Sequence, residues 1–333
     1  MNTNSSAESA LSELLAAVRP GDVLVMRRDE PISQLIRWMD DSDPEHPVDL
    51  SHSMLVVAAG DEPEGFSAWP LPDEPNEIVS DIVIAPLRRL LTPYDRVIVL
   101  RHQVLAELDD ERAAERVAPV IERAREYAER AQRGKIVFDD RQLYAKAIAF
   151  ITPHLRRRQR RLAAWVLGRL DDEILSAGAQ QVICPELIMR AFNTGDGALP
   201  ITTSPTTPVP LGQRGLQALA VEDVDVDLSE VAWNSFKREL QVGACVVAVD
   251  LLVRAEPDPP PRIGDATPAQ MIEYTTPGDL QRSGDLTVVD GWQAWSGRIA
   301  DVTALPGGRE AVKRERLAGP GATDTDPRAH EPA

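Results

Sequence analysis

The sequence predicts an α+β fold: an antiparallel sheet carrying a histidine, packed against a helix that begins at a cysteine, with a helical insertion between them. Three observations lead there. Four or five strand-like runs occur before any long helix. Residues 109–132 and 141–175 then carry helical composition and spacing. Finally, Val182-Ile183-Cys184-Pro185-Glu186-Leu187-Ile188-Met189-Arg190-Ala191-Phe192 reads as a short apolar lead-in followed by a helix.

Taken in order, residues 1–8 are expected to be disordered and residues 9–18 to form a short helix ended by Pro20-Gly21. Residues 22–26 are a first strand. A helix over 31–40 opens on Pro31 and lines up Ile32, Leu35, Ile36 and Met39. The acidic segment 40–49 is a surface loop leading into a strand that opens at His52. Along it His52, Met54, Val56 and Ala58 share one face and Ser53, Leu55 and Val57 the other. Both faces are largely apolar, so this strand is central. Further strands are expected at 66–69, 78–84 and 96–101. The helix over 109–132 is amphipathic through Val117, Val120, Ile121, Ala124, Tyr127 and Ala128, and stops at Gly134.

The 109–175 insertion contains Arg156, Arg157, Arg158, Arg160 and Arg161 on an otherwise acidic chain. A solvated helix end accounts for them. With the apolar face of Leu162, Trp165, Val166, Leu167 and Leu170 beside them, so does contact with an anionic membrane or an acidic partner. In the cysteine helix, Pro185 suits the first helical position, which places Cys184 at the N-cap beside the positive end of the helix dipole. Leu187, Ile188, Ala191 and Phe192 form its apolar stripe, and Glu186 and Arg190 pair at four-residue spacing. Residues 9–199 make the main domain. Residues 200–305 are an extension that packs on it or completes it, with a helix over 228–240 and a strand over 244–253 holding Cys245 as core. Residues 306–333 are expected to be a disordered tail.

The 333 residues are 43% hydrophobic, enough for a substantial core. A net charge of −17 argues against nucleic acid as a partner. Two cysteines, Cys184 and Cys245, provide neither a disulfide framework nor a cysteine metal site, and no cofactor motif is present. No signal peptide or membrane-spanning run is seen, so a cytoplasmic location is expected.

Gly21-Asp22-Val23-Leu24-Val25, then Ile32-Ser33-Gln34-Leu35-Ile36-Arg37, Leu50-Ser51-His52-Ser53 and Ile183-Cys184-Pro185-Glu186-Leu187-Ile188 follow one another in an order with a known counterpart. The chain resembles the circularly permuted papain-like cysteine hydrolases, the YiiX-like branch of the NlpC-type superfamily, over residues 20–193 and more faintly at Thr276-Pro277-Gly278-Asp279-Leu280. That resemblance implies a permuted papain-like fold and Cys184 and His52 as the catalytic pair. It also implies an amide or acyl substrate: a peptide, a cell-wall stem or a lipid acyl group. Two positions differ. Pro185 stands where the family has serine, and Ser67 falls where a glutamate commonly orients the histidine, with Glu62 and Glu64 nearby.

The function expected is a thiol hydrolase. Cys184, facing a cleft at the helix start, has its pKa lowered and attacks a carbonyl, while His52 exchanges the proton and a helix-start N–H holds the oxyanion. The alternatives are a lipid acyltransferase or deacylase of the same fold and a catalytically inactive papain-like binding module.

Overall fold

The computed structural model describes residues 3–27, 36–37, 50–68, 82–91, 94, 96–138, 180–205 and 265–293. The expected features at 141–175 (the arginine run included), 228–240, 244–253 with Cys245, and 306–333 lie outside them. Of the helix expected over 31–40, only Ile36 and Arg37 are described; both are helical, and Ile36 is buried.

Helix α1 (Thr3–Ala17) begins six residues earlier than expected, because nothing between Thr3 and Ser9 breaks a helix. Gly21 then turns the chain with a φ of +89°, where a Cβ would strike Val117, so only glycine fits. Strands β1 (Val23–Arg27), β2 (His52–Ala58), β3 (Glu64–Ala68) and β4 (Ile82–Pro86) follow. Next come the short helix α2 (Leu87–Leu91), β5 (Arg96–His102), α3 (Gln103–Ala106) and the long α4 (Asp110–Gln132). Asp109 caps α4 by accepting from the Arg112 N–H at 2.9 Å.

The six-stranded antiparallel sheet runs β4-β3-β2-β1-β5-β8, its last strand being β8 (Leu286–Gln293). The region expected to pack on the domain or complete it thus supplies a strand beside β5. A second, parallel pair joins β6 (Ile136–Phe138) to β7 (Gln180–Val182). It delivers the chain from the end of α4 to α5 (Cys184–Asn193). Two short capped helices, α6 (Pro268–Tyr274) and α7 (Pro277–Arg282), precede β8.

Helices cover both faces of the sheet, and the strand alternation assigns each side chain to one of them. Val23, Val25, Leu55, Val57, Phe66, Ile98 and Leu100 pack with α4 and α5. Leu24, Met26, Met54, Val56, Val97 and Val99 pack with α1, α2 and Tyr94. The Gly21-Asp22 motif anchors this arrangement. The buried Asp22 carboxylate accepts from Arg101 Nε at 2.7 Å and Nη2 at 2.8 Å, and from the Arg19 N–H at 2.8 Å, tying the start of β1 to β5. The pairing holds Arg101 charged, its pKa raised by the Asp22 carboxylate. No helix among the described residues is long and apolar enough to cross a membrane.

Candidate active site

Ile183, in extended conformation, is the N-cap of α5, so Cys184 is the first helical residue and Pro185 the second, one step further in than the sequence suggested. The Ile183 side chain has no acceptor for a cap. The carboxylate of Glu186 supplies half of one, Oε2 accepting from the Ile183 N–H at 3.4 Å. Its Oε1 accepts from Arg190 Nε at 2.9 Å and Nη2 at 2.7 Å, so the expected pair forms, with Glu186 buried. At the other end Thr194 Oγ1 donates to the Arg190 carbonyl at 2.6 Å and Arg123 Nε to the Ala191 carbonyl at 2.7 Å. The Asn193 side chain brackets Ile201, accepting from its N–H at 3.0 Å and donating to its carbonyl at 2.8 Å. Phe192 is fully buried, its ring stacked 6.2 Å from that of His102. His102 Nδ1 accepts from the Val104 N–H at 3.3 Å, which leaves Nε2–H to donate to the Pro200 carbonyl at 3.2 Å.

The Cys184 thiol is only 4% exposed and belongs to the core cluster with Val25, Leu55 and Leu187. The cleft-facing, low-pKa cysteine expected from the helix start is therefore not what the structure contains. Burial pushes the thiol up to about 12. The Ser53 backbone N–H, the Ser53 hydroxyl and the N–H of Cys184 itself favour the anion but do not offset its desolvation. Among the described residues, the Ser53 hydroxyl has no hydrogen-bond partner besides this thiol.

His52 is the first residue of β2 and is completely buried. Its Nε2 lies 3.0 Å from Ser67 Oγ on β3, and its ring stacks on Tyr94 with centroids 5.4 Å apart and planes 8° from parallel. Ser67 is thus in contact with the imidazole at the position where the resemblance placed the orienting residue. Register sets the sides. His52 pairs with Met26, which packs with Tyr94, whereas Ser53 pairs with Val25, which packs with Cys184. Adjacent residues of β2 therefore send the histidine to one face and the contact of the cysteine to the other. The residues expected to act as a pair, Cys184 and His52, thus face opposite sides of the sheet; the sulfur meets the residue after the histidine. No protein-family model matches the chain, and no curated protein sequence matches it.

Among the described residues no three His, Cys, Asp or Glu side chains are grouped to hold a metal ion. Sequence reasoning missed Tyr94 and the role of Ser53. Tyr94 stands alone between α2 and β5, where no local period marks it. Ser53 could have been flagged as a hydroxyl on an otherwise apolar strand face.

Proposed function

We propose that the chain is a thiol hydrolase of the permuted papain-like kind, cleaving an amide or acyl bond through a thioester on Cys184. The observation that carries this is the His52–Ser67 contact of 3.0 Å, together with a helix-start cysteine docked at the next residue of the same strand. A neutral imidazole that donates from Nε2 to Ser67 Oγ has Nδ1 as its basic atom.

In the reaction, the Cys184 sulfur bonds to the substrate carbonyl carbon as its proton passes to His52. The carbon–nitrogen or carbon–oxygen bond then breaks as His52 protonates the leaving group. Water, its proton taken by His52, releases the acid and restores the thiol. Pro185 has no N–H, so the first turn of α5 offers the oxyanion the Cys184 N–H and not that of its neighbour. The proposal requires a rearrangement at the very start of β2 that brings the sulfur and the imidazole, which face opposite sides of the sheet at rest, to one side. A peptide, a cell-wall stem or a lipid acyl group fits the chemistry; a lipid substrate would make the chain a deacylase or acyltransferase.

A second reading is favoured by one observation. A buried thiol with its pKa raised to about 12 suits an inactive papain-like module that binds an amide- or lipid-bearing partner. A panel of peptide amides, p-nitrophenyl esters and phospholipids separates the two. Turnover that disappears in Cys184→Ala, with the thermal transition of the variant still cooperative, supports the hydrolase. Binding of a panel member without turnover supports the module.

A further inference from the structure

We infer that Tyr94 is a positioning residue for His52, its ring face fixing the plane of the imidazole and stabilising the imidazolium formed when His52 takes a proton. The purpose of that role rests on the hydrolase proposal; the contact does not. The two rings are nearly parallel, with an interplanar angle of 8° and centroids 5.4 Å apart. A cation within about 6 Å of an aromatic centroid is attracted by the negative face of the ring, and more strongly where water is excluded. Tyr94 is 4% exposed and His52 0%, so water is excluded here. Ser67 fixes the same imidazole at its edge through Nε2. One contact therefore sets the ring's rotation and the other its plane.

Among the described residues, several charged groups on surrounding elements lie away from the imidazole. Arg27 on β1 and Arg96 on β5 pair one residue beyond Met26 and Val97 and so point to the opposite face. Arg88 and Arg89 on α2 and Glu13 on α1 are exposed, and Glu64 lies at the far end of β3. The aromatic face of Tyr94, stacked on the ring, is one feature on this side of the sheet that favours a positive imidazole.

The test is a histidine-labelled NMR titration of the full chain, with the His52 signal assigned by its loss in His52→Gln. It compares the parent, Tyr94→Phe, and Tyr94→Phe made with progressively fluorinated phenylalanine at that position. Fluorination keeps the ring shape and drains its negative face, so folding is not at issue as it would be for Tyr94→Leu. Tyr94→Phe should leave the His52 pKa where it was. Full fluorination should lower it by about half a unit, the change in proton affinity expected when a cation–π contact is lost. With a substrate in hand, the acid limb of kcat/KM should move by the same amount. An unchanged pKa across the fluorinated series overturns the inference, as does an imidazole that takes no proton before acid unfolding. If the pKa follows the ring while no substrate is turned over, the hydrolase proposal fails and the role of Tyr94 stands. Turnover with an unmoved pKa supports the hydrolase and removes the role of Tyr94.

Discussion

On the Tyr94 side of β2 a polar ring is held by directed contacts: an edge bond to Ser67 at 3.0 Å and a stacked face at 5.4 Å. On the α5 side a polar atom of similar burial is held mainly by apolar packing, with Ser53 as its polar neighbour. The same strand supports both, one residue apart. In the proposed hydrolase, the first arrangement holds the base in place before any substrate arrives. The second keeps its sulfur neutral, so any activation has to come from rearrangement around Cys184. On that proposal, a prepared base and a concealed nucleophile sit back to back on one strand.

The largest expected disturbance of this contrast is Phe192→Ala. It removes a fully buried ring beneath α5 and should cost about 3–5 kcal/mol, measured as a lower urea midpoint. Iodoacetamide should then label Cys184 faster, while the NMR signal of His52, across the sheet, should stay unchanged. A shifted His52 signal would mean that the two faces are not independent.

Alkaline pH offers the next test. A thiol whose folded pKa of about 12 lies above its ordinary value of 9.0 favours the folded state fully below that ordinary value. That contribution is lost as pH rises through the window between the two. The parent should lose stability between about pH 9 and about pH 12, and Cys184→Ala should lose less. Parallel curves for the two proteins would show that the thiol is not desolvated.

The smallest expected effect is that of Ser67→Ala, which removes one hydrogen bond worth about 1 kcal/mol and should slow turnover about fivefold. Ser67→Thr, which keeps the hydroxyl, should recover most of it. Equal rates for the alanine and threonine variants would mean that the contact does not orient His52.

Much of the site's scaffold was legible because its signals are local. Gly21, the alternation after His52 and the Pro185-led amphipathic stripe locate β1, β2 and α5 to within a residue or so. The two faces of β2 were also legible as sets of residues. Which of them would receive α5 was not, since both are apolar and docking is decided by α1, α2 and α4 together. The three-residue strands β6 and β7 are too short to show a period, and they pair only because the fold brings distant segments together. The Tyr94–His52 stack has the same origin. Helix-start chemistry misjudged the cysteine, because the dipole of α5 is a weaker influence on the thiol than the core closed over it.

The most direct test of the central claim, that His52 and Cys184 act together despite facing apart at rest, is single-turnover acylation followed by intact-mass spectrometry. With an activated ester as substrate, the parent should gain one acyl group on Cys184. His52→Ala, folded as judged by its thermal transition, should gain it at least about 100-fold more slowly, the scale of a lost general base. Equal acylation rates, or an acyl group carried elsewhere than Cys184, would contradict the account.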